Sequence, residues 1–214
     1  GINMYSQVEI CNMALTNYGG GSIMSMDDGT EEARVLNLIY DNCRQSVLAE
    51  GIWNFAISYT NTELALLDGV NHPLYSHVYS MPKNCLKVLR VYSSDYELAD
   101  DRFKCDFEVY NYGTDKAIAT NAQNAKAKYV VDVTTSSLYS PEFVTCLSYL
   151  LASRCVEALT RNGQLVAEMD AKYQVALSKA LQSNVREGSQ RIQKPSMYID
   201  FRNSDYVRRR LGGL

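Results

Sequence analysis

Gly51-Ile52-Trp53-Asn54-Phe55-Ala56-Ile57-Ser58-Tyr59 is the stretch on which the reading of the fold turns. Before it, apolar residues recur every three or four positions, the spacing that gathers them on one face of a helix. From Phe55 onward they alternate (Phe55, Ile57, Tyr59), which is the period of a strand with one buried face. Going back from Gly51, Leu36, Ile39, Tyr40, Cys43, Val47 and Leu48 form the stripe of a helix opened by the turn Asp27-Asp28-Gly29-Thr30. An earlier helix starts at Ser6-x-x-Glu9, a capping box in which each side chain satisfies the other residue's free amide. It carries Val8, Cys11, Ala14, Leu15 and Tyr18, and Gly19-Gly20-Gly21 ends it.

Going forward, period-two patterning continues through Leu86, Val88 and Val91, through Phe103-x-Cys105-x-Phe107-x-Val109, and in the β-branched run Tyr129 to Val133. Turn signals at Asn71-His72-Pro73, Ser93-Ser94-Asp95, Asn111-Tyr112-Gly113-Thr114 and Asn121-Ala122-Gln123-Asn124 separate these runs. They predict four or five antiparallel strands in a meander, one face of which must be covered by helix. Ser140-Pro141-Glu142 then opens a third helix with a capping hydroxyl, a proline at the first helical position and an acid in the first turn. Phe143, Leu147, Leu150, Leu151, Cys155, Ala158 and Leu159 give its apolar face. After Asn162-Gly163, Leu165, Met169, Tyr173, Leu177, Ala180 and Leu181 mark a fourth helix folded back on the third. The predicted fold class is α+β: a four-helix bundle of two N-terminal and two C-terminal helices (residues 4–52 and 136–187), a central antiparallel β insertion (53–135) and an extended C-terminal arm (188–214).

Composition narrows the function. The 214 residues are 46% hydrophobic and 21% charged, which is globular rather than disordered, and the net charge of −3 gives no general affinity for nucleic acid. No apolar run approaches 18 residues and no basic-then-apolar leader opens the sequence, so neither a membrane nor a secreted role is expected. Cys11, Cys43, Cys85, Cys105, Cys146 and Cys155 form no CxxC pair and sit in apolar patterns, as reduced core thiols made in a cytosol do.

A search for chemistry finds none that holds. His72 and His77 are the only histidines, and no paired-cysteine half accompanies them, so they read as loop residues beside Pro73 rather than zinc ligands. Gly19-Gly20-Gly21-Ser22 lacks the Lys-Ser/Thr of a phosphate loop. Asp27-Asp28-Gly29 lacks the ligand alternation of a calcium loop. Asp95, Glu97, Asp100 and Asp101 read as a solvated turn, and no nucleophile elbow is present. The expectation is no catalytic residue, no metal, no cofactor and no enzyme.

What stands out is the C-terminus. Residues 188–214 show no apolar period and carry Arg191, Lys194, Arg202, Arg208, Arg209 and Arg210 against Asp200 and Asp205, with Tyr198, Phe201 and Tyr206 interspersed. Basic and aromatic residues on an arm that cannot fold alone suit binding, either to a protein neighbour or, as the alternative, to nucleic acid through phosphate contacts and stacking. Sixteen tyrosines over the chain agree with interfaces as much as with a core.

Several segments, taken in order, resemble the tail tubular protein A family, the head-to-tail adaptors of short-tailed bacteriophages. They are Ala14-Leu15 with Tyr18-Gly19; Ile23-x-Ser25-x-Asp27-Asp28 and Ala33; Tyr40-Asp41, Arg44 and Leu48; Trp53-Asn54-Phe55-Ala56; Tyr79-x-Met81-Pro82-x-Asn84-Cys85-Leu86-Lys87-Val88; and Tyr139-Ser140-Pro141-x-Phe143 leading into Leu151-Ala152 and Leu159-Thr160. Ile52 departs from the pattern, since many relatives have proline there. Within these motifs Trp53 and Phe55 are placed to pin sheet to helices, Tyr79 opens the Tyr-x-Met-Pro element, and Pro82 is expected to start a strand where a missing amide does least harm. The resemblance implies a virion protein of the head–tail junction, made in the host bacterial cytoplasm. It implies a ring of identical subunits, twelve in such adaptors, that docks under the portal protein, receives a nozzle protein similar to tail tubular protein B, and touches translocating DNA only in passing. The arm residues would then contact the portal or a neighbouring subunit.

Overall fold

A computed structural model describes residues 5–93 and 104–191. Helix α1 (Gln7–Asn17) begins at the predicted capping box: Ser6 Oγ accepts from Glu9 N at 3.2 Å, and Glu9 Oε2 accepts from Ser6 N at 2.6 Å. Helix α2 (Glu31–Glu50) is capped by Thr30 and buries Ala33, Leu36, Tyr40, Cys43, Val47 and Leu48. Helix α3 (Pro141–Leu159) is capped by Ser140, whose Oγ accepts from Phe143 N. Helix α4 (Gly163–Arg191) folds back along it.

These four helices do not make the expected four-helix bundle. In a bundle each helix shares a common core with two neighbours. Here α1, α2 and α4 each pack on α3, which serves as a central axle. The reason lies in α3 itself. It is buried on nearly every side, at Phe143, Val144, Cys146, Leu147, Ser148, Leu150, Leu151, Ala152, Ser153, Cys155 and Val156, and a helix apolar all round belongs in the middle. Among its described side chains α4 buries only the stripe Met169, Tyr173, Leu177 and Ala180, and so lies on the outside.

The strands also depart from a single central insertion. β1 (Ile57–Tyr59), β3 (Cys85–Ser93), β4 (Lys104–Cys105) and β7 (Ala125–Val131) form one antiparallel sheet in the order β1-β7-β3-β4. β2 (His77–Ser80), β5 (Phe107–Tyr112) and β6 (Asp115–Thr120) form a second, in the order β2-β6-β5. Of the chain's changes of sheet, one comes at the expected strand start and one inside the alternation through Cys105. The run Tyr79 to Val88 breaks at Met81–Asn84: Pro82 does not start a strand but sits in a turn whose carbonyl accepts from Cys85 N at 3.3 Å, and Asn84 takes φ +55°. The alternation around Cys105 breaks at Asp106, so Cys105 pairs with Val91 in the first sheet and Phe107 with Thr120 in the second. Phe55 lies in a 3-10 turn (Asn54–Ala56) just ahead of β1, not in a strand.

One core runs through the helices and takes in Val130 from the first sheet and Val133 from the chain that leaves it. A second, between the sheets, gathers Val88, Val91 and Ala127 against Tyr79 and Ile118. A third, on the far face of the second sheet, holds Val78, Ala117 and Ala119 under Leu67, Val70, Tyr75 and Tyr110. The expected arm is corrected at its start, because residues 188–191, Arg191 included, continue α4. Lys194, Tyr198, Phe201, Arg202, Tyr206, Arg208, Arg209 and Arg210 lie outside the described residues.

Candidate functional site

The motif residues from distant parts of the chain converge where α2 ends against the first turn of α3. Trp53, 2% exposed, donates from Nε1 to Val47 O at 2.8 Å, so the ring folds back on the helix it follows. Gly51 permits this: a Cβ there would sit 2.3 Å from Trp53 Nε1. Phe143 makes T-shaped contacts with Trp53 at 5.2 Å and with Phe55 at 5.1 Å, with interplanar angles of 84° and 80°. Tyr139 packs 4.7 Å from Phe143, and its hydroxyl donates to Val133 O at 2.8 Å. Edge-to-face pairs of this kind are each worth about 1 kcal/mol beyond the area they bury.

Beside this cluster lies a buried charge pair that the sequence reading did not single out as a unit. The Arg44 guanidinium, on the apolar stripe of α2, donates from Nε and Nη2 to the two oxygens of Asp132, both at 3.0 Å, and also to Asp41. Gln45 adds a bond to Asp132 Oδ2 at 2.9 Å. Burial alone would raise the Asp132 carboxyl, but the bonds from Arg44 and Gln45 and the guanidinium charge outweigh it and hold it below the usual carboxylate range. The pair ties α2 to the chain leaving β7. An arginine inside an otherwise apolar stripe was the available signal.

The remaining candidates are structural. His72 lies between Tyr75 and Tyr110, at 5.4 and 4.9 Å; its Nδ1 accepts from Leu74 N and its Nε2 lies 3.7 Å from Glu108. His77 is on β2, opposite Thr120. Among the described residues no three His, Cys, Asp or Glu side chains are grouped to hold a metal ion. Burial pushes the thiols of Cys11 and Cys155 up to about 12 and those of Cys43, Cys85 and Cys146 up to about 11, which removes them as nucleophiles at neutral pH. Tyr79, 3% exposed, closes the Tyr-x-Met-Pro element by donating to Ala122 O at 2.7 Å.

A groove of about 610 Å³ runs between α3 and α4, lined by Thr145, Tyr149, Ala171, Val175 and Ala176 and rimmed by Glu142, Glu168, Lys172 and Lys179. α3 is tied to α4 by Ser153, which donates to Asp170 at 2.6 Å, and α4 is held to the end of α2 by Tyr173, which donates to Glu50 at 2.8 Å. The groove offers surface for contact. No family model matches the chain, and a search of curated proteins finds no similar one.

Proposed function

We propose that this chain is a structural head-to-tail adaptor of a short-tailed bacteriophage virion: a ring of identical subunits that joins the portal to the tail nozzle, lines part of the DNA ejection channel and catalyses nothing. The observation that carries the reading is the junction cluster. Trp53-Asn54-Phe55-Ala56 and Tyr139-Ser140-Pro141-x-Phe143, two of the motifs on which the resemblance rests, are more than 80 residues apart in sequence and supply the rings of one packed cluster. Two of the motifs thus meet in one packed unit, which supports the reading. In a ring, the same heterologous contact repeats by rotation until it closes.

Native mass spectrometry of the chain, alone and mixed with a portal ring, tests the reading. A monomer that joins the portal at one fixed stoichiometry is expected, and a chain indifferent to portals overturns it. Ending the chain at Arg191 is expected to leave a folded monomer that no longer joins the portal. Unchanged incorporation would remove the role given to the basic C-terminal residues.

A further inference from the structure

We infer that the outer face of the first sheet is a binding surface for the phosphate backbone of nucleic acid. The strands of this sheet read Ile-Ser-Tyr, Cys-Leu-Lys-Val-Leu-Arg-Val-Tyr-Ser, Lys-Cys and Ala-Lys-Ala-Lys-Tyr-Val-Val: five cations and no acid. In the whole chain acids outnumber cations, 24 to 21, so the sheet runs against the rest of the molecule. The strands of the second sheet, by contrast, hold Glu108, Asp115 and Lys116.

Register decides which of these cations share a face, because residues directly opposite in an antiparallel pair point the same way. Lys128 lies opposite Arg90 on β3 and opposite Tyr59 on β1. Lys126 lies opposite Tyr92, which in turn lies opposite Lys104 on β4. Arg90, Lys104, Lys126 and Lys128 therefore share one face, with Tyr92, 1% exposed, between Lys104 and Lys126, about 4.8 Å between strands and about 6.7 Å between alternate residues. The opposite face at these positions is the intersheet core, through Val91, Ala125, Ala127 and Cys105. Toward the helices the cationic face gives way to buried Val130, so it is bounded on that side by the main core.

Two features suit this strip to a polyanion in particular. Lys104 and Lys126 make no ion pair among the described residues. At the β1 edge, Tyr59 is 45% exposed with Lys128 Nζ 5.6 Å from its ring centroid, a cation beside a stacking surface. Lysines a few ångströms apart displace condensed counterions from a nucleic acid, the term that supplies most sequence-independent affinity, and an exposed aromatic adds stacking. The inference goes beyond the adaptor reading and stands or falls separately from it.

Fluorescence anisotropy of the full chain with a labelled 30-base-pair duplex of mixed sequence, across a salt series, tests it. Non-specific affinity with a steep salt dependence is expected. K126Q/K128Q is expected to weaken binding about tenfold or more at low salt and to reduce the salt slope by about two, one for each lost phosphate contact. K172Q/K179Q removes the same charge from α4 and is expected to leave the slope unchanged. Equal effects of the two double variants, or a duplex unbound at 50 mM salt, overturn the inference. Circular dichroism confirms that both variants fold. Portal stoichiometry measured on the wild type and on K126Q/K128Q separates the two proposals: intact docking of the variant with lost duplex binding keeps both, and a wild-type chain that binds duplex but does not dock removes only the adaptor.

Discussion

The helical layer and the two sheets solve the same problem with different reserves. The helical layer buries one continuous core, from Ile10 on α1 to Ala180 on α4, with α3 at its centre and four aromatic rings locked at its end. The sheets divide their burial between two small clusters, one between the sheets and one outside the second, and alanine fills much of both. Small side chains allow β6 to be covered on both faces, at Ala117, Ile118, Ala119 and Thr120, but each contributes little apolar area. The helical layer is therefore the part that sets global stability, while the sheets depend more on hydrogen bonds at their corners.

The largest test of that contrast is Phe143→Ala against Val78→Ala. Phe143 is fully buried and central to the aromatic cluster, so its loss should cost about 3–5 kcal/mol. Val78 is 1% exposed but belongs to the smallest cluster, and losing two methyl groups there should cost about 2 kcal/mol. Urea denaturation followed by the single tryptophan, Trp53, reports the junction directly. Equal losses at the two sites would mean that the sheets are as tightly coupled to global unfolding as the helices.

Next in size is the ion pair that joins the two regions. Arg44 is 5% exposed, and removing its bidentate partner with Asp132→Ala leaves a buried cation held by Asp41 alone, at a cost of about 3 kcal/mol. The pH dependence has a definite sign. The folded-state carboxyl of Asp132 is depressed, so its contribution is fully present above the unfolded value near 4 and is lost as pH falls through the lower folded value. Melting temperatures between pH 6 and pH 2.5 should fall more steeply in the wild type than in Asp132→Asn. Parallel curves would assign the acid sensitivity to other carboxylates.

The same contrast explains what could be read from the sequence. Helical boundaries were legible because caps are local: Ser6 with Glu9, Thr30, and Ser140 with Pro141 all act within one turn. The arrangement of the helices was not, because a stripe says that a face is buried and not against which partner. The clue was that α3 has apolar or small residues on nearly every side, Ser148 and Ser153 included, which a single-stripe reading passes over. In the sheets, period two assigns a residue to a face but cannot assign a strand to a sheet, so Phe107 and Cys105 looked like one strand. The cationic strip was present in the text as Ala125-Lys126-Ala127-Lys128, yet it becomes a surface only when register sets Lys128 beside Arg90 and Lys126 in line with Lys104.

The smallest expected effect probes the corner that misled that reading. Asp106 is the residue at which the chain leaves the first sheet for the second, and its carbonyl accepts from Thr120 Oγ1 at 2.7 Å. The same hydroxyl accepts from Ala122 N at 3.3 Å, so one buried side chain serves both the strand switch and the turn after β6. Thr120→Val keeps the β-branched shape and removes only the hydroxyl. It leaves two backbone groups to find other partners and should cost about 1–2 kcal/mol. If the sheets rely on such bonds, hydrogen exchange should rise at the amides of β5 and β6 while those of α3 stay protected. Uniform acceleration through α3 would show instead that the corner unfolds only with the whole molecule, and that the division between a rigid helical layer and a hydrogen-bonded pair of sheets is geometric rather than energetic.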